Sequence, residues 1–312
     1  MLTTLKNVIL IADLQIFDLI IFSGEKVNKR TLSVISILLM LVVVVSTPFL
    51  LSACSSKSVV KVIDFKLTSE EYAFCVNHVN AYLLEKANDF LIEIKSNGTF
   101  NKIVSRYFGK GKPQGVKSAP QNAEDALVVA TCADFPPFEY KDGDTYYGVD
   151  VEIAAAFAHY LGKRLVIKNV SFEALFYEVQ MGHADIAISA ISVIETRKNL
   201  VDFTNNYYLA GQVIMARSGD GTFDACSTAE DVKKLLATMG EDVTVGYQNG
   251  TSAYYFLFGK SHEYTTVYNV TGQGYDTISE AIDAMLNGEI NFVMLDEAAA
   301  KAIEKQMNGK RK

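Results

Sequence analysis

From residue 59 onward, short runs of β-branched and apolar residues alternate with stretches in which apolar residues recur every three or four positions, the spacing of one helix face. Residues 59–67, VVKVIDFKL, and 72–76 read as strands. Residues 81–94 place Leu83, Leu84, Ala87, Phe90, Leu91 and Ile94 on one helical face, and Asn97-Gly98 ends that helix through the left-handed conformation Gly permits. A second helix covers 100–107 and closes at Phe108-Gly109. The pattern then breaks, because residues 110–124 are rich in Gly, Pro, Lys, Gln and Asn and read as a flexible linker.

The alternation resumes with a strand at 127–131 and a loop in which Pro136 and Pro137 stiffen the chain and fix Phe135. A helix after Gly148 packs through Ile153, Phe157, Tyr160 and Leu161. Further strands are expected at 165–170, 186–188, 212–217, 243–248 and 290–295. Helices are expected at 172–180, within 224–238, at 277–287 and at 297–307. This order predicts α/β lobes around mixed sheets, with a ligand cleft at strand ends between two lobes.

Upstream lies a longer apolar run, residues 32–50, preceded by Lys26, Lys29 and Arg30 and followed by Leu51-Ser52-Ala53-Cys54. Basic residues, an apolar run and small residues before a cysteine resemble a bacterial lipobox leader. The resemblance implies cleavage before Cys54, lipidation of its thiol, and a mature protein held on the extracytoplasmic face of the cell membrane by acyl chains. The run is also long enough to remain as a spanning helix. Residues 1–24 carry Asp13 and Asp18 inside apolar sequence, which suits no signal peptide and points to translation starting near Val27.

Composition narrows the classes. The chain has 312 residues, 49% hydrophobic and 21% charged, which is globular and leaves room for two domains. A net charge of −7 argues against nucleic acid, which requires a concentrated basic surface. Besides Cys54 there are Cys75, Cys132 and Cys226, with no metal-ligand spacing, so neither a disulfide framework nor a cofactor is implied. His78, His159, His183 and His262 are scattered, and no catalytic triad order or phosphate loop occurs.

The chemistry concentrates in residues 185–208, DIAISAISVIETRKNLVDFTNNYY. A strand opens into a turn bearing Ser189, Ala190 and Ser192, and Arg197 follows. A guanidinium fork beside hydroxyls suits a carboxylate, although a solvated surface Arg is the plainer reading. The spacing Ser-x-x-Ser, Glu-Thr-Arg, Val-Asp-Phe-Thr and Tyr-Tyr resembles the extracytoplasmic solute-binding proteins of polar amino acid ABC importers, family 3, of periplasmic binding protein type II fold. That resemblance implies a free amino acid as ligand, an ABC permease as partner, and a monomer. It implies that Arg197, helped by Ser192, Thr251 and Ser252, takes the ligand carboxylate, and that Asp296, helped by Ser189, takes the ammonium. Thr251, Ser252 and Asp296 read equally as helix caps. Phe135 and Phe172 would sandwich the ligand side chain, or serve as core. Cys132 stands where binders of basic side chains carry an acid, and Ala190 replaces a common Ser or Gly, which favours a neutral polar or small apolar amino acid.

Residues 70–109 resemble the end of such proteins yet precede the segment that resembles their start. The implied organisation is a circular permutation: leader 1–53, tether and second-lobe strand 54–69, first lobe 70–109 and 125–208 joined by the linker 110–124, and second lobe 209–312. The rival arrangement is a gene-fusion fragment that pairs with another chain. A cyclohexadienyl dehydratase on the same architecture is the enzymatic alternative, with Glu139 or Glu173 as its proton-transfer carboxylate. A ligand-sensing ectodomain is a third.

Overall fold

The computed structural model describes residues 59–309, so the leader and Cys54 lie outside the described residues. Short, buried, β-branched segments build two five-stranded mixed sheets. The first-lobe sheet has the order β10 (Asp202–Phe203), β3 (Cys75–Val76), β9 (Ile186–Ala187), β4 (Ala126–Thr131) and β8 (Arg164–Asn169). The second-lobe sheet runs β1 (Val60–Ile63), β12 (Gln212–Arg217), β15 (Phe292–Asp296), β13 (Thr244–Gln248) and β14 (Thr271–Tyr275). A meander of β5 (Asp134–Phe135), β6 (Glu139–Asp142) and β7 (Thr145–Tyr147) flanks the first sheet.

The sheets are joined by a two-stranded ribbon. β2 (Glu70–Tyr72) pairs antiparallel with β11 (Tyr208–Ala210), in the register Tyr72 with Tyr208 and Glu70 with Ala210. One sheet passes to the other along these strands. Tyr72 packs against Phe138, Tyr207 and Tyr208 with centroids 5.2, 6.2 and 5.7 Å away, so an aromatic cluster backs the crossing.

The helices follow the expected faces. α1 (Ala81–Ser96) is capped by Asn80, whose side chain accepts from the Leu83 N–H at 3.1 Å, and it buries Leu83, Ala87, Phe90, Leu91 and Ile94. α2 (Thr99–Phe108) presents Arg106 and Tyr107 to Glu152, which lies in the first turn of α3 (Val149–Tyr160). α4 (Ala174–Gln180) and the single turn α5 (Glu195–Lys198) complete the first lobe. The second lobe carries α6 (Ala229–Thr238), α7 (Ser252–Phe258), α8 (Ile278–Asn287) with a Thr277–Glu280 capping box, and α9 (Glu297–Gly309). Among the described residues no helix is long and apolar enough to cross a membrane.

Three expectations change in detail. The strand expected over 59–67 stops at Ile63, where the Phe65 N–H turns back onto the Ile63 carbonyl at 2.8 Å. The run 72–76 is split between the ribbon and the first sheet, because Ala73 bonds to Ile191 and the Phe74 N–H bonds to the Thr204 hydroxyl. The linker is held along its length. Val116 exchanges both backbone hydrogen bonds with Tyr146 at 2.8 Å, and Ala119 bonds to Leu165 at 2.8 Å. Polar composition says nothing of such edge pairing.

Candidate functional site

Strands β4, β9 and β13 all end, at their carboxyl sides, on one narrow, nearly closed cavity. The first lobe contributes Cys132, Phe135, Phe172, Ser189, Ala190, Ser192 and Arg197. The second contributes Thr251, Ser252 and Asp296. All ten residues singled out in the sequence therefore meet at one place. Two more join them, Glu139 and Gln248.

Arg197 is 2% exposed, which removes the reading of a solvated surface Arg. Its Nη1 donates to the Ser192 carbonyl at 2.6 Å and its Nη2 crosses to the Gly250 carbonyl of the second lobe at 2.7 Å. The guanidinium lies 5.4, 5.2 and 5.9 Å from the ring centres of Phe172, Phe176 and Tyr255, within reach of their negative faces. Burial lowers its pKa, against the pull of nearby Tyr255, Cys75, Glu70 and Asp296. Its Nε has no hydrogen-bond partner. Gly250 is in the left-handed region at φ +75°, and a Cβ there would meet Glu173 Cγ at 2.7 Å. Only Gly brings this carbonyl to the guanidinium without strain.

Asp296 ends β15 and is buried. Burial, then the charge of Glu70, pushes its pKa up to about 7, while the Tyr72 hydroxyl, the Gln212 amide and the Arg197 charge pull it back. Its Oδ1 is left without a hydrogen bond. An acid with a raised pKa and a buried guanidinium thus line the same cavity.

The serine hydroxyls point their protons away from Arg197. Ser192 Oγ donates to Glu70 Oε2, as does Ser252 Oγ at 2.7 Å. Ser189 Oγ donates to Glu139 Oε1 at 2.9 Å and accepts from the Cys132 N–H at 2.9 Å. In this structure the Ser192 and Ser252 protons are thus engaged by Glu70. Thr251 Oγ1 is likewise engaged, donating to the Gln248 carbonyl at 2.7 Å.

Glu139 is 1% exposed, and burial followed by the charge of Asp150 raises its pKa well above the carboxylate range. Asp150 rises to about 6 by burial, restrained by the Ala190 N–H, the Tyr207 hydroxyl and Glu139. Asp150 Oδ2 accepts from the Ala190 N–H at 2.6 Å and from the Tyr207 hydroxyl at 2.7 Å. These bonds hold Ala190 at φ +46°, a conformation costly for any residue with a Cβ. Glu139 Oε2 has no partner. Cys132 is neutral, its thiol pushed up to about 11 by burial, and Gln248 Nε2 reaches its Sγ at 3.5 Å across the lobes.

Sequence reasoning named Glu139 only as an enzymatic carboxylate and missed Gln248 and Glu70 as parts of the site. Gln248 closes a strand at its carboxyl end, two residues before Gly250, which was a usable signal. Glu173 is exposed and lies outside the cavity, and none of the four histidines lines it. Among the described residues no cluster of His, Cys, Asp and Glu could hold a metal ion.

The model of the family described as bacterial extracellular solute-binding proteins, family 3, matches residues 127–308. The chain is similar to the arginine-binding extracellular protein ArtP of Bacillus subtilis, 26% identical over 184 residues, covering 59% of this chain and 66% of that one. It is similar to the L-cystine-binding protein TcyJ of Escherichia coli, 25% identical over 187 residues, covering 58% and 63%. The chain thus spans just under two thirds of the length of these relatives. Among solved structures, an ancestral arginine-binding protein bound to arginine aligns with TM-score 0.51 and 29% identity over 60% of this chain and 76% of that one. The match over 127–308, laid on a two-lobed α/β fold with its cavity at strand ends, means that the chain belongs to the bacterial extracellular solute-binding proteins, family 3.

Proposed function

We propose that this chain is the substrate-binding component of an amino acid ABC importer, capturing one free L-amino acid between its lobes and presenting it to a permease. The observation that carries the reading is the pairing of Arg197 with Asp296 on one buried cavity walled by both lobes. A zwitterion offers an anion to the first and a cation to the second, and each hydrogen bond to a charged group contributes about 1.5–3 kcal/mol. Arg197 takes the carboxylate and Asp296 the ammonium. Phe135 and Phe172 flank the side chain, with Cys132, Ala190 and Gln248 around it. Lipidation of Cys54 holds the monomer at the membrane.

The ligand side chain is neutral and polar in this reading. Burial raises the pKa of Glu139, which favours a carboxyl that can donate to or accept from an amide, and Cys132 is an uncharged thiol. A thermal-shift screen of residues 55–312 against the twenty L-amino acids tests this. The largest stabilisation is expected from a neutral polar amino acid. A largest shift from arginine or lysine overturns the substrate class alone, and no shift from any overturns the function. Glu139 is also the acid that a dehydratase would need, so turnover of prephenate or arogenate would favour that second reading.

The chain order is a circular permutation in the same reading. Asn308 of α9 accepts from the Val59 N–H at 2.7 Å and donates to the Val60 carbonyl at 3.0 Å, so last helix and first strand meet directly. A chain reordered to begin at residue 125, with 309 linked to 59 and ending at 109, should melt cooperatively and bind as the original does. Failure to fold would overturn the permutation.

A further inference from the structure

Glu70 is buried, 4% exposed, on the strand by which the chain crosses between the sheets. Among the described residues no salt bridge reaches it; hydroxyl donors from three places do. Thr68 Oγ1 donates to its Oε1 at 2.6 Å from the crossing itself. Ser192 Oγ of the first lobe and Ser252 Oγ of the second both donate to its Oε2. The network continues, as Gln212 at the second crossing donates its N–H to Thr68 Oγ1 at 2.8 Å and its Nε2 to Ser252 Oγ at 3.0 Å.

One carboxylate oxygen therefore ties a hydroxyl of each lobe to the hinge between them. Parting the lobes must break at least one of these bonds. A serine hydroxyl has one proton, and donating it to Glu70 leaves only lone pairs for anything else nearby. Turned toward a ligand, Ser192 can then only accept, which suits an ammonium and repels a carboxylate. A buried acid with no ion pair is costly to keep, and setting a unique arrangement is a role that offsets such a cost.

We infer that Glu70 is a positioning residue, a hinge latch that holds the lobes together through Ser192 and Ser252 and fixes both hydroxyls as acceptors toward the ligand. The inference rests on the amino-acid-binding reading for its ligand arm only. The latch itself is tested without ligand. Small-angle scattering of ligand-free residues 55–312 should give a larger radius of gyration for Glu70→Ala than for wild type, with Glu70→Gln between them because its amide oxygen still accepts. In titrations with L-glutamine and L-arginine, whichever wild type binds should bind Glu70→Ala about tenfold or more weakly, equivalent to about 1.4 kcal/mol. Adding Ser252→Ala to Glu70→Ala should weaken binding by less than Ser252→Ala does in wild type, since the two share one bond. An unchanged radius overturns the latch even if no amino acid binds wild type. Equal affinity in Glu70→Ala, or full additivity with Ser252→Ala, overturns its role in capture.

Discussion

Two polar networks share the cavity wall, and they hold charge differently. Around Arg197 and Asp296 a guanidinium and an acid are both buried and both left with an unsatisfied atom, Nε and Oδ1. Around Glu139 and Asp150 two acids face each other, with no salt bridge to either among the described residues, and burial, then the charge of Asp150, raises the Glu139 pKa. In the proposed function the first network meets the charged atoms that every amino acid carries. The second, in the same reading, faces the ligand side chain, with the Glu139 pKa raised by burial. In the proposed function the first network therefore sets affinity and the second selects among amino acids.

Removing Arg197 should break that contrast most completely. Arg197→Ala leaves a ligand carboxylate buried and unpaired, a loss of about 3–5 kcal/mol. Calorimetric titration is expected to show no measurable binding while the melt stays cooperative. Asp296→Asn should cost about 1.5–3 kcal/mol by the same titration. Asp296 also brings a pH dependence. Its pKa rises from 3.8 to about 7 on folding, so the folded chain keeps a proton that the unfolded chain has lost. That group's contribution to stability falls as pH rises through this window. A ligand ammonium favours the ionised form, so affinity should rise from about pH 5 to about pH 8 with proton release on binding. The Asn variant should lack that slope.

Two smaller effects sharpen the side-chain network. Glu139→Gln should change the affinity for a neutral ligand by less than about 1 kcal/mol, but weaken a cationic one by about 1.5–3 kcal/mol. The ratio of the two, measured with glutamine and arginine, reports which class the cavity serves. Ala190→Gly relieves the positive φ and should raise stability by up to about 1 kcal/mol in a denaturant melt.

How far each network was legible follows from its physics. Ser189, Ser192 and Asp296 lie at or just beyond strand ends that hydrophobic runs mark, and Arg197 follows in the motif that continues from β9, so their convergence could be read from the chain. Glu139 begins a meander strand whose pattern does not say which face is buried, and Asp150 sits in a helix turn that reads as solvated. The pairing of Glu70 with Ala210 spans the whole first lobe, and no local pattern encodes it. β14, TGQGY, lacks the β-branched apolar signature because it is an edge strand beside β13 alone. The linker's polar residues hid backbone bonds that depend on β7 and β8 being near.

The division between the networks is tested most directly by stripping the ligand's head group. The best-binding L-amino acid should be titrated into wild-type residues 55–312 beside its decarboxylated amine, which keeps the side chain and the ammonium. A site built on Arg197 and Asp296 predicts that the amine binds at least about a hundredfold more weakly, about 2.7 kcal/mol. Equal affinity of the two would contradict it.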